Sequence, residues 1–189
     1  MSPGGTLVVV VTGLSGAGKS TAVNALEDLG FFCVDNLPTT VVPHTLAAFH
    51  EGKVRRIALG IDIRVRGFLE HATRVLDELA GGRDQRLVVL FLDATDEALL
   101  RRFSSTRRPH PLSARSESAG ERTASAVIDG IRIERELLAP LRARATLIID
   151  TTELSVHELR QRIASHFGPG ASQLPRMRIR FLSFGFKYG

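Results

Sequence analysis

At 189 residues, 43% hydrophobic and 24% charged, the chain is long enough for one domain with a real core and too apolar to be disordered. Its one cysteine, Cys33, excludes an internal disulfide or a zinc cluster, and no apolar run approaches membrane-spanning length. The net charge of +5, with 22 arginines among 25 basic residues, permits a polyanionic partner and equally suits a site that grips triphosphate.

Residues 7–12 open the chain with Leu7, four consecutive valines and Thr12, the pattern of a buried strand. Gly13-Leu14-Ser15-Gly16-Ala17-Gly18-Lys19-Ser20 follows and fits G-x-x-x-x-G-K-[ST], a phosphate-binding loop. Helical spacing of Ala22, Val23, Ala25, Leu26 and Leu29 predicts a helix over 19–29. The loop therefore joins a buried strand to a helix, the setting its chemistry requires. Glycines let the backbone aim N–H groups at phosphate oxygens, and the helix start adds a positive dipole end. Lys19 would reach the terminal phosphates, and the Ser20 hydroxyl would hold magnesium.

Further strands are expected at 31–34, 56–62, 87–93 and 146–150. Helices are expected at 40–50, 67–80, 95–103, 118–141 and 155–167. Such alternation argues an α/β fold, a parallel sheet with helices on both faces. Ligands of such sheets bind outside the carboxyl ends of the strands. Cys33 lies in an apolar run and reads as a buried small side chain. Residues 104–120 carry Arg107, Arg108, Arg115, Pro109 and Pro111 and read as a mobile loop or lid. Gly168-Pro169-Gly170 reads as a linker. It is followed by alternating basic and apolar residues, Arg176 to Phe181, and then Phe184, Phe186 and Tyr188.

Magnesium needs a carboxylate near Ser20. Asp62, at the end of an apolar run, is the first choice, with a helix cap or strand-end hydrogen bond as its other use. Asp35 suits either an acceptor-positioning role or an Asx-turn. Asp93 and Asp150 read as helix-start residues. Arg64, Arg101, Arg102, Arg107, Arg108, Arg132 and Arg135 are candidate phosphate clamps, of which two or three would touch ligand. The six histidines show no metal spacing and read as structural, His110 included.

Several strings carry a resemblance. They are the loop itself, Ala25 through Asp35-Asn36-Leu37-Pro38, Asp62-Ile63-Arg64, Phe91-Leu92-Asp93-Ala94, Arg101-Arg102-Phe103, His110-Pro111-Leu112 and Ser183-Phe184-Gly185-Phe186-Lys187-Tyr188-Gly189. Over essentially its whole length the chain resembles the RapZ-type nucleotide-binding proteins, the RNase adapter family. The resemblance implies a P-loop NTPase fold of the adenylate-kinase group, five parallel strands in order 2-3-1-4-5. It implies ATP at Gly13, Leu14, Ser15, Gly16, Ala17, Gly18, Lys19 and Ser20, and GTP at Asp62, Ile63, Arg64 and Val65. Catalysis by Lys19 and Asp62, with magnesium on Ser20 and Asp62, would make a weak ATPase and GTPase. In full-length form it implies a homo-oligomeric regulator that binds small RNA and presents it to an endoribonuclease through a further C-terminal domain. Residues 1–167 would then form the nucleotide domain and 168–189 a linker and the first strand of that next domain. The expected setting is cytoplasmic, without membrane. A small-molecule or nucleotide kinase is the alternative, and a non-catalytic RNA-binding module ranks last.

Overall fold

The computed structural model describes residues 5–61, 66–82, 85–106, 110–112 and 124–169. Among the described residues, five strands, β1 (Thr6–Gly13), β2 (Phe32–Val34), β3 (Arg56–Gly60), β4 (Gln85–Asp93) and β5 (Leu147–Asp150), form one sheet in the order β2-β3-β1-β4-β5. All its pairings are parallel. Among the described residues, six α-helices alternate with them: α1 (Lys19–Asp28), α2 (Val42–Glu51), α3 (Arg66–Ala80), α4 (Asp96–Thr106), α5 (Ala124–Arg144) and α6 (Val156–Phe167). A short 3-10 turn, Thr39–Val41, leads into α2.

The central strand β1 explains the layout. Val8 to Val11 are at most 1% exposed, which requires cover on both faces. One cover is α1 packed on α6. The other is α5, packed on α3 and α4. Chain connections leave β1 toward β2 on one side and cross to β4 on the other. The carboxyl end of β1 is therefore the point where strand order reverses and a crevice opens.

Element ends depart from the periodic pattern for local reasons. Phe31 ends α1 rather than starting β2. Its N–H donates to Leu26 O and the Gly30 N–H to Glu27 O, with Gly30 at φ 81°, a Schellman ending. Helix α4 continues to Thr106, past the expected Phe103, because the Ser105 and Thr106 hydroxyls both donate to Arg102 O. Ser104 to Thr106 are therefore helix, not the start of a loop. Helix α6 begins with a capping box between Ser155 and Glu158. It ends where an Arg56 guanidinium N–H donates to Phe167 O at 2.6 Å, while the same guanidinium lies 4.3 Å over the Phe31 ring. Asp62, Ile63, Arg64, Val65, Arg107, Arg108, Arg115, residues 118–123 of the expected long helix and the tail from Gly170 lie outside the described residues.

Candidate functional site

Carbonyl oxygens of the loop between β1 and α1 are taken up by donors from the loop itself and from the elements around it. Leu14 O accepts from the Ala17 N–H, and Gly18 O from the Ala22 N–H. Gly16 O accepts from the Arg102 guanidinium at 3.0 Å, and Ala17 O from the Thr151 hydroxyl at 3.1 Å. The N–H groups of the first turn of α1 have no acceptor within the helix, so they remain to face a ligand. Two glycines are obligatory on steric grounds. Gly13 sits at φ 135°, where a Cβ would strike the Leu92 backbone. Gly18 sits at φ 100°, with Leu159 Cδ2 2.8 Å from where its Cβ would be. Lys19 folds back so that Nζ donates to Gly13 O at 2.7 Å, which places its charge at the loop centre.

A buried carboxylate holds the other side of the loop. Glu134, on α5 and 1% exposed, takes the Ser15 backbone N–H at 2.8 Å on Oε2 and the Ser15 hydroxyl at 2.7 Å on Oε1. His110 Nε2 lies 3.2 Å from the same Oε2. The Leu112 N–H donates to His110 Nδ1, so that nitrogen is the acceptor and Nε2 carries the proton toward Glu134. Burial alone would push the Glu134 carboxyl up. Hydrogen bonds from His110 and Ser15 and the Lys19 charge outweigh it and hold the group below its ordinary value. The loop is therefore braced by an ionised, fully enclosed carboxylate.

Beside the loop is a cavity of about 720 Å³, large enough for a nucleotide-sized ligand. Its floor is Gly16 to Thr21. Arg102, Phe103 and Thr106 of α4 form one wall, and Leu154, Val156 and Leu159 the other. Arg102 joins these walls, since it also donates to Thr151 Oγ1 and Thr151 O. Burial, aided by the neighbouring Arg101 charge and opposed by Asp150, lowers the Arg102 pKa.

The candidate residues from the sequence divide accordingly. Gly13 through Ser20 form the turn between β1 and α1, with the Ser20 side chain exposed at the cavity. Asp62, Ile63, Arg64 and Val65 cannot be placed against them, being outside the described residues. Arg102 spends its donors on Gly16 and Thr151 rather than pointing as a clamp. Arg135 is likewise committed, to Asp93 and Asp96 at 2.8 Å each. Its pKa is raised: burial works against the charge, but the bonds to Asp96 and Asp93 prevail. Arg101 and Arg132 are exposed. Asp35 accepts from the N–H of the next residue, Asn36, at φ 55°, while the Leu37 N–H donates to Gly60 O, so the expected Asx-turn does not form. Asp93 is an ion-pair anchor for Arg135 and Arg142 rather than only a helix-start residue. Asp150 turns the chain by accepting from the Thr152 N–H and hydroxyl. Cys33 is half-buried rather than fully buried, with Sγ 3.5 Å from Val23 O. Glu134 was missed, although the signal existed. Ile131, Glu134, Leu138 and Leu141 are spaced as one helical stripe and all four are buried, so a glutamate stands in an apolar row.

Residues 6–171 match the RapZ-like N-terminal domain. The chain belongs to that family. Among its relatives, a nucleotide-binding protein of Sorangium cellulosum is 59% identical over 182 residues, covering 96% of this chain and 50% of its own. A nucleotide-binding protein of Streptomyces coelicolor is 46% identical over 185 residues, covering 96% of this chain and 58% of its own. The RapZ-like chain thus spans between 50 and 60% of the length of the curated relatives it matches. Among solved structures, the tunicamycin resistance protein of Deinococcus radiodurans superposes with a TM-score of 0.52 at 15% identity, covering 86% of this chain and 96% of that one. That likeness concerns the fold alone. No described helix is long and apolar enough to cross a membrane.

Proposed function

We propose that this RapZ-like domain binds ATP and GTP with magnesium and hydrolyses them slowly, with water as acceptor. The observation that carries the reading is the Gly13–Ser20 loop. Its Gly16 and Ala17 carbonyls are held by Arg102 and Thr151, Lys19 is folded onto Gly13 O, and a cavity of about 720 Å³ adjoins it. Phosphates would lie on the first-turn N–H groups and Lys19, and the base between Arg102 and Phe103 on one side and Leu154 and Val156 on the other. The exposed Ser20 hydroxyl, at the cavity floor beside Lys19, fits a magnesium ion held mainly by phosphate oxygens and water. Asp62 would be the carboxylate that completes that site, and Asp62 to Val65 the segment for GTP. Lys19 would offset charge on the transferred phosphoryl group.

The relatives' names support the nucleotide part of this reading. The regulatory part belongs to a longer protein. In that form we propose a cytoplasmic homo-oligomer in which residues 1–167 are the nucleotide domain and 168–189 lead into a further domain. There it would bind small RNA and present it to an endoribonuclease.

Calorimetric titration with ATP–Mg and GTP–Mg, paired with a phosphate-release assay, tests the proposal. Saturable binding of both nucleotides with slow release of free phosphate is expected. No binding heat from either would overturn it, and transfer to an added metabolite instead of water would favour a kinase.

A further inference from the structure

We infer that Glu134 is a positioning residue for the phosphate loop, and that His110 links that loop through Glu134 to the wall of the cavity. The inference rests on the loop being the nucleotide seat proposed above.

Both Glu134 oxygens are spent on one loop residue, from a helix 119 positions away in sequence. Ser15 therefore turns both its N–H and its hydroxyl toward α5 and away from the loop centre. The opposite side of the loop is fixed by Arg102 at Gly16 O and Thr151 at Ala17 O. Held between a carboxylate that pulls on an N–H and donors that pull on carbonyls, the loop has its peptide planes set in one sense. The N–H groups of Gly16 and of Gly18 onward into the first turn of α1 are aimed by this arrangement before any phosphate arrives, so ligand binding need not pay to order them, while the Ala17 N–H is kept by Leu14 O.

The second half of the link starts at the same carboxylate. His110 is 0% exposed, meets Glu134 through Nε2 and lies 5.0 Å from the Phe103 ring. Pro111, the next residue, lines the cavity, and Phe103 faces Gly16 from the other side. The negative charge that phosphate brings to the loop is thereby felt at residues 110–112 through the two Ser15–Glu134 hydrogen bonds, the Glu134–His110 hydrogen bond and one ring contact. Glu134 touches no ligand in this scheme. It acts through Ser15.

The test compares wild type with Glu134→Gln, which keeps the shape but sets an amide where one oxygen accepted. ATP–Mg affinity is read by calorimetry and adenosine affinity by saturation-transfer NMR. The expected result is a loss of about tenfold or more for ATP–Mg with adenosine unchanged, since the lost bonds set the phosphate seat and not the base wall. Equal loss for both ligands, or unchanged ATP–Mg affinity, would overturn the inference. Should Glu134→Gln fail to fold, Ser15→Ala serves, because it removes only the hydroxyl bond. A smaller loss confined to ATP–Mg is expected, and none at all contradicts the scheme. The His110 ring nitrogens, observed by 15N NMR, should move when ATP–Mg is added to wild type, and fixed signals would remove the link to residues 110–112. If wild type binds no ATP, the nucleotide reading fails by itself. Amide exchange at Ser15 then decides the role of Glu134: slow exchange in wild type and faster exchange in Glu134→Gln supports it, and equal exchange overturns it.

Discussion

Two side chains show how surroundings, rather than residue type, set chemistry in this domain. Cys33 sits half-buried at the edge of the sheet, and burial, with the charges of Glu27 and Asp35, pushes its thiol up to about 11. Against the ordinary value of 9.0, the thiolate fraction near neutral pH falls by about a hundredfold. A disulfide exchange reagent should therefore react with the native protein at pH 8 far more slowly than with the urea-unfolded chain. Equal rates would refute the assignment. Glu134 is the opposite case, a carboxyl held below its ordinary value of 4.5 despite enclosure. A group depressed on folding contributes stability that is complete above its unfolded value and is lost as pH falls through the folded one. Glu134→Gln should thus cost about 1–3 kcal/mol at pH 7. The gap in melting temperature to wild type should narrow as pH falls below 4.5. A gap that stays constant to pH 3 would contradict an ionised Glu134.

At the scale of elements, the site depends on how α1 and α6 are started. Helix α1 starts on Gly18 in a left-handed conformation with no side-chain cap, which leaves its first turn open to a ligand. Helix α6 starts with a capping box, in which Ser155 and Glu158 satisfy two of the N–H groups at its start from within. Two adjacent helix starts therefore carry different tasks, one for binding and one for support. Ser155→Ala removes the cap at a cost of about 1 kcal/mol, read as a lower melting temperature. Because Ser155, Val156 and Leu159 line the cavity, a slight loss of ligand affinity should accompany it. Unchanged melting would show that the box contributes nothing. Gly13→Ala is the severe counterpart. Its Cβ meets Leu92 backbone rather than a side chain that could yield, so loss of the folded loop and of ATP binding is expected in calorimetry.

Across the whole molecule, legibility followed the reach of each interaction. Strand β1 was evident because four valines in a row have few other uses, and the loop after it because its glycines have steric reasons that act locally. The alternation of strands and helices gave the parallel sheet. The order 2-3-1-4-5 came only with the family resemblance, since periodicity does not say which strands are neighbours. What stayed hidden were pairings over long sequence distances. Arg102 and Arg135 looked like phosphate clamps because composition cannot show that Thr151, Asp93 and Asp96 already occupy them. His110, between two prolines, has no periodic pattern to betray its burial. Glu134 was readable in principle as a charge in an apolar stripe, but its partner Ser15 is 119 positions away. The contacts of Arg102, Thr151 and Glu134 converge on one loop. The sheet, the two helix layers and the buried carboxylate together serve to hold Gly13 to Ser20 in one conformation. The most direct test titrates wild type and Lys19→Ala with ATP–Mg, side by side, in a calorimeter. Saturable binding by wild type is expected, with at least about a tenfold loss in Lys19→Ala, which lacks the ammonium that wild type folds onto Gly13 O. Equal affinity in the two proteins would contradict it.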